Sequence, residues 1–469
     1  MAHRDTALAP SGSAAPAPRA WRAAIERVAS PERFRATVVL VGVGGLLLRL
    51  VLGRFEPSPP AGHGQVYADE YWYVRVAHNV LKGRGFASEF WPHSHAPTAL
   101  HAPLTVLLLL PASLVQPFGY TAQRATMALI GALTVVVLAY VGRELAGPRV
   151  GVVAAVLAAV YPGLWVNDLV ATSESPAALL VAVVLLLALR YRRAPRTGTL
   201  VLLGLSIGLL TLDRGELSVL GLLLAVPAIV AVARTSALPI RTGVRALLVV
   251  GVLALAVVTP WSVYNQVRFH QTVLISTDLG QTLVGANCPE SYYGPLTGYD
   301  GRYCFYSVLL AEIAAHPKAN EAAADSYFRR EAIHYATSHW ERWPVVAGMR
   351  ELWLWSLWRP GWTVFMSGVY LGRPRWIAWS QIVAFWLLTP LALYGFVLAR
   401  RRRIRVAPLV TLVAFTAAIG LVVVGHLRYR VPAELAWVLL AAIALDRLVL
   451  GRRPGATTPA PSVGGGDLG

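Results

Sequence analysis

The 469 residues are 56% hydrophobic and only 14% charged, and they run apolar repeatedly for the ~20 residues that a bilayer crossing needs, which excludes a soluble enzyme. A formal charge of +18 would suit a nucleic-acid binder, but the arginines cluster beside apolar runs, where retention of basic residues in the cytoplasm accounts for them. The sequence therefore predicts an all-α polytopic membrane protein, surrounded by membrane lipids and with no nucleic acid among its partners.

Residues 1–35 hold Pro, Ala and Ser with Arg19, Arg22, Arg27, Arg33 and Arg35, and they lack the apolar core and cleavage site of a signal peptide. They read as a disordered basic cytoplasmic arm. Apolar runs follow near 36–53, 102–116, 122–141, 150–165, 175–189, 199–212, 217–233, 243–262, 378–399, 406–424 and 431–449. The clusters Arg190/Arg192/Arg193/Arg196, Arg234/Arg241/Arg245, Arg400 to Arg403 with Arg405, and Arg447/Arg452/Arg453 belong inside with the arm, and parity then removes one run. The segment His101 to Gln116 is short, begins His-Ala-Pro and carries Pro111, so it reads as an interfacial or re-entrant helix, leaving about ten crossings.

This topology divides the chain into a transmembrane core at 36–262 with a first external loop at 54–121, a long external loop at 263–377, and C-terminal transmembrane helices at 378–450. The Gly- and Pro-rich tail 451–469 is expected to be disordered, with both termini cytoplasmic. Short external turns fall near 166–174, 213–216 and 425–430. In the long loop, Trp340, Trp343, Trp353, Trp355, Trp358, Trp362, Trp376 and Trp379 predict helices lying along the outer interface. Cys288 and Cys304 share that loop, and an oxidising compartment predicts a disulfide between them, restricting the unfolded segment by roughly 3 kcal/mol.

Just after the first span comes Tyr67-Ala68-Asp69-Glu70-Tyr71-Trp72-Tyr73. A carboxylate beside a reacting hydroxyl can take its proton as general base, and Asp69 is the candidate. Glu70, the second member of the catalytic pair, points elsewhere on a helix and anchors the loop or binds the acceptor. A helix start also favours acids through its dipole, so the pair alone does not establish chemistry. His63, His93, His95 and His101 match no metal-ligand spacing, and no metal site is predicted. At the span ends stand Asn167, Asp168, Ser173 and Glu174; Asp213, Arg214 and Glu216; and Arg428, Tyr429 and Arg430. The guanidinium fork suits phosphate oxygens, which makes Arg214, Arg428 and Arg430 candidates for holding one. Arg49, inside the first span, requires a cavity or a partner.

Taken in order, Asp69-Glu70 with Tyr73, Ala77, Asn79 and Gly83-x-Gly85-Phe86, then His101-Ala102-Pro103-Leu104, Ser173-Glu174, Leu212-Asp213-Arg214, Thr259-Pro260-Trp261-Ser262 with Asn265, Phe269 and Ser276, and Arg428-Tyr429-Arg430-Val431-Pro432 resemble one family. It is the bacterial branch of the glycosyltransferases typified by protein O-mannosyltransferases and the lipid A aminoarabinose transferase (glycosyltransferase family 39), with the GT-C fold. The resemblance implies a polyprenyl-phosphate-linked sugar as donor and a cell-envelope glycan, lipid or protein as acceptor. Transfer would invert the anomeric centre on the extracytoplasmic face, with Asp69 as base. The residues expected to serve the donor phosphate and substrate are Arg49, Glu174, Arg214, Arg428, Tyr429 and Arg430, with Tyr73 and His101 as first-loop substrate contacts. No cofactor is specified, although a divalent cation is compatible with the chemistry. The chain departs from the family at Ala102-Pro103, at Asp213-Arg214-Gly215 and at Val263-Tyr264-Asn265, where the arginine common in relatives is lost. A polyprenyl-lipid transporter and a non-catalytic scaffold are the competing classes; the near absence of charge within the spans and the gathering of acids on one face count against transport.

Overall fold

The computed structural model describes residues 27, 29–57, 69–88, 95–235, 239–317 and 319–450. Most of the expected basic arm, the tail 451–469, and His63 and His93 lie outside the described residues. Among the described residues the architecture is helical, with a single isolated β-bridge between Ala87 and Pro97. α1 (Phe34–Leu52) leads into the first loop, which carries α2 (Asp69–Leu81) and α3 (Leu104–Val115). Then come α4 (Thr121–Ala146), α5 (Pro148–Val160), the single turn α6 (Pro162–Trp165), α7 (Glu174–Arg193), α8 (Thr197–Asp213), α9 (Leu217–Thr235) and α10 (Ile240–Phe269). The long segment folds into α11 (Asp278–Ala286), α12 (Pro289–Tyr292), α13 (Arg302–Ala315), α14 (Glu321–Ser338), α15 (Trp343–Leu354) and α16 (Pro360–Leu371). α17 (Arg375–Arg401), α18 (Ala407–Val422) and α19 (Val431–Leu450) complete the bundle.

Among the described residues, six helices, α1, α4, α7, α9, α10 and α17, are long and apolar enough to cross a bilayer, and α5 joined to Pro162–Leu169 across a 56° bend makes a seventh. The remaining three of the ten expected crossings are shorter or more polar. α8 and α18 have 17 and 16 residues, and α19 carries Glu434, Asp446 and Arg447. α3 has 12 residues, about 18 Å of helix against a hydrocarbon core of about 30 Å, too short to cross. Its re-entrant reading fits that length.

Apolar faces of α1, α4, α5, α7 to α10 and α17 to α19 merge into one core, which fixes where the helix ends sit. Charge then separates along the bundle. At one end Glu144 meets Arg190 at 3.6 Å and Arg193 at 3.1 Å, and Arg149 meets Asp446 at 2.9 Å. The opposite end collects the turns before α7, α9 and α19 together with the first loop and the start of the long segment. The Cys288–Cys304 disulfide forms within that segment. Its tryptophans divide: Trp340, Trp343, Trp358 and Trp376 are exposed, whereas Trp353 is buried against Tyr299 and donates its ring N–H to the Thr297 carbonyl at 2.9 Å. Trp353 is therefore core and not part of an interfacial belt.

Candidate active site

Asp69 and Glu70 open α2, and successive helical residues point about 100° apart, so the two carboxylates part company at once. Glu70 is buried and takes a bidentate pair from Arg124 at 2.8 and 2.6 Å, plus the Ala171 amide at 2.8 Å. Arg124 also donates to the carbonyls of Glu56 and Pro57, both at 2.9 Å. Every polar atom of Glu70 is thus spent on tying the first loop to α4 and to the turn before α7. That is an anchor, and it leaves Asp69 as the carboxylate facing the cluster.

Asp69 meets Arg428 at 2.5 Å, and Arg428 reaches on to Glu174 at 2.6 Å. Glu174 receives Arg214 at 3.0 Å, and Arg214 donates to Glu216 at 2.7 Å. The result is a row of alternating sign, Asp69, Arg428, Glu174, Arg214, Glu216, assembled from the first loop and from the turns before α7, α9 and α19. Alternation is what lets such charges share a poorly hydrated site. Burial alone would raise the pKa of Asp69, but Arg428, His101 and Arg214 hold it well below the usual carboxylate range. Both guanidinium groups, desolvated but faced by carboxylates, are held above their ordinary values and stay charged. The Tyr429 ring lies 5.3 Å from Arg214, and burial pushes its hydroxyl up.

A cleft opens on this row. Glu174, Arg214, Arg428 and Tyr429 form its polar side, and Leu217, Phe415, Ile419, Val431 and Pro432 its apolar side. Two cations beside a hydrocarbon wall suit an anionic head on an apolar tail.

On the other side of Asp69 stands His101, its ring stacked on Tyr73 at 5.0 Å and edge-on to Trp72 at 4.9 Å. One imidazole nitrogen is 3.7 Å from Asp69 and the other 3.9 Å from Asp278, beyond hydrogen-bond length but close enough for strong electrostatic influence. Tyr73 is buried, its hydroxyl within reach of Ser173, and burial followed by the charge of Asp69 keeps it protonated.

Two of the expected donor-binding arginines stand apart. Arg49 donates to Asp168 at 2.6 Å and to the carbonyls of Gly45, Ala159 and Ala158 at 3.1, 3.2 and 3.4 Å. It lines a smaller cavity behind Glu174, but its donors are taken by helix packing. Arg430 is fully buried, bonded to Glu434 at 2.5 Å and to Ser356 at 3.0 Å, and lies 3.9 Å from the Phe385 ring centre. Arg49 is thus taken up in helix packing, and Arg430 lies inside the bundle and does not line the cleft. The sequence reading missed Asp278, which no local pattern marks, and Arg124, whose place at the start of α4 gave no hint of its partner. Among the described residues, no group of three or more His, Cys, Asp or Glu side chains is arranged to hold a metal ion.

Residues 101–264 match the family described as dolichyl-phosphate-mannose-protein mannosyltransferase. No curated protein matches the chain. Among solved structures, the Archaeoglobus fulgidus oligosaccharyltransferase tethered to an acceptor peptide is 14% identical, with a TM-score of 0.51 over 90% of this chain and 50% of that one. The oligosaccharyltransferase AglB from the same organism, in complex with an inhibitory peptide and a dolichol-phosphate, is 14% identical with a TM-score of 0.46 over 86% and 50%. ArnT from Cupriavidus metallidurans bound to undecaprenyl phosphate is 15% identical with a TM-score of 0.41 over 88% and 77%. The chain spans about half the length of the archaeal proteins it matches.

The helix order and the likeness to the archaeal structure show an all-α polytopic membrane protein with the GT-C fold. Residues 101–264, which run from just before α3 into α10, are the stretch that matches the dolichyl-phosphate-mannose-protein mannosyltransferase family.

Proposed function

We propose that the protein transfers a sugar from a polyprenyl-phosphate donor to an acceptor hydroxyl of a cell-envelope glycan, lipid or protein on the extracytoplasmic face. The observation that carries this reading is the placement of Arg214 and Arg428 on the rim of an apolar-walled cleft, with Arg428 in contact with Asp69. The isoprenoid tail lies along Leu217, Phe415 and Ile419, and the phosphate comes to the two guanidinium groups.

Arg428 has a limited set of donors, so the phosphate draws it from Asp69, and the carboxylate regains basicity. Asp69 then takes the acceptor proton as the hydroxyl oxygen bonds to the anomeric carbon from the face opposite the phosphate. The bond between that carbon and the phosphate oxygen breaks, and polyprenyl phosphate leaves with the electron pair, its charge met by Arg214 and Arg428. One carboxylate acting once, without a covalent intermediate, gives inversion. The topological argument from basic clusters supports an extracytoplasmic site, because the Asp69 end of the bundle is opposite Arg190, Arg193 and Arg149.

The test incubates purified protein in lipid nanodiscs with radiolabelled polyprenyl-phosphate hexoses and pentoses and a cell-envelope extract. Label from one sugar should move to an acceptor with its anomeric configuration inverted. Retention of configuration would defeat the single-displacement mechanism, and no transfer from any sugar would defeat the reading itself.

A further inference from the structure

The residues on either side of Asp278 are held with unusual care. The Thr277 amide donates to the Ala99 carbonyl at 2.8 Å, and the Thr277 hydroxyl donates to Glu321. Two residues past Asp278, the Gly280 amide donates to Asp325 at 2.6 Å. Glu321 and Asp325 are one turn apart on α14, so a single helix face grips the start of α11 at two points. Glu321 also accepts from the Ala99 amide at 2.8 Å and the Thr98 hydroxyl at 2.7 Å, locking the same segment to the strand of chain that leads to His101. Position 280 must be glycine for this, because a Cβ there would sit 2.3 Å from the Asp325 carbonyl oxygen.

The carboxylate delivered by this clamp is itself open. Asp278 keeps 37% of its side chain exposed, accepts from Gln281 at 2.7 Å and faces His101. It also lies within electrostatic reach of Tyr429, the ring packed on Arg214. The order Arg428, Asp69, His101, Asp278 therefore runs from the phosphate end of the cleft outward. A second anion would be repelled at its far end, whereas a carboxylate is a strong acceptor for hydroxyls.

We propose that Asp278 is the sugar-binding carboxylate of the donor site, its open oxygens accepting hydrogen bonds from hydroxyls of the glycosyl group on the phosphate, an inference that rests on the reading of the cleft as a polyprenyl-phosphate-sugar site. The long segment thereby supplies the part of the site that reads the sugar, while the span-end arginines read the phosphate.

The test measures binding of bare undecaprenyl phosphate and of a panel of undecaprenyl-phosphate hexoses and pentoses to nanodisc-embedded protein. Asp278→Asn should weaken the best sugar-bearing carrier by about tenfold or more and leave the bare carrier within about twofold. Gly280→Ala keeps the carboxylate but displaces it, and should lose the same selectivity. Equal weakening of both carriers, no weakening of either, a changed acceptor KM with unchanged donor binding, or wild-type protein that holds no sugar-bearing carrier better than the bare one would each overturn the assignment. Wild-type protein that fails to bind bare undecaprenyl phosphate would instead overturn the reading of the cleft beneath it.

Discussion

Replacing Arg428 with Gln removes the cation that two carboxylates share, Asp69 at 2.5 Å and Glu174 at 2.6 Å. Removing one partner of a buried ion pair costs about 3–5 kcal/mol. Arg428 is 31% exposed on its side chain, so solvent returns part of that, and about 2–3 kcal/mol is expected. The pH dependence follows from linkage. The folded pKa of Asp69 lies below its ordinary 3.8, so the pair's stabilisation is present above about pH 4 and is lost only as pH falls through the folded value. The gap between wild type and Arg428→Gln should therefore be largest at pH 7, and the wild-type contribution to it should be lost only below about pH 4. In the variant, Asp69 and Glu174 are left as like-charged neighbours, and acidification from pH 7 to 5 should stabilise it relative to wild type. Thermal unfolding in detergent, followed by tryptophan fluorescence at several pH values, reads both effects. The double variant Asp69→Asn/Arg428→Gln, which removes both charges, should recover part of the loss. A single variant as stable as wild type at pH 7, or a double variant no better than the single, would refute the shared-cation account.

Three further outcomes are expected. Gly131→Ala should destabilise the protein by about 3–5 kcal/mol, because its Cβ would stand 2.0 Å from an Asp168 oxygen and 2.7 Å from Arg49; a normal melting temperature would show that this pair does not hold α1 to the bend after α5. Cys288→Ser should release about 3 kcal/mol of chain restriction locally, seen as faster hydrogen exchange across α11 to α13 with the transmembrane helices unchanged. Asp325 is raised to about 6 by burial, so its clamp on Gly280 should weaken as pH rises from about 4 to 6 and level off above that. The protection factor of the Gly280 amide, its exchange divided into the intrinsic rate at each pH, should follow that curve in wild type and become flat across this range in Asp325→Asn.

Much of the site was legible because it sits where a bilayer forces polar residues to sit, at the ends of apolar runs. Glu174, Arg214 and Arg428 are marked by position alone, and Asp69 by its place after the first span. The short, Pro-bearing run at 102–116 reads as re-entrant by length and parity, and the helix within it has 12 residues. What position cannot tell is which way a span-end side chain turns. Arg428 and Arg430 are two residues apart in one 3-10 turn, yet one faces the cleft and the other lies inside the bundle on Glu434. The spacing of Arg430 and Glu434, one helical turn, is the local pattern that goes with the buried pair. Arg49 needed a partner 119 residues away, a distance no local pattern spans. Asp278 was invisible for a similar reason: its placement depends on Glu321 and Asp325, which hold Thr277 and Gly280 from 44 and 45 residues away.

The central claim is that Asp69 is the base. A single-turnover assay with the sugar-bearing carrier that wild-type protein accepts, run on wild type and Asp69→Asn in nanodiscs, tests it directly. Loss of about 10²-fold or more in the transfer rate, with bare undecaprenyl phosphate still bound, is the predicted result. Transfer by Asp69→Asn at a rate near wild type would contradict it.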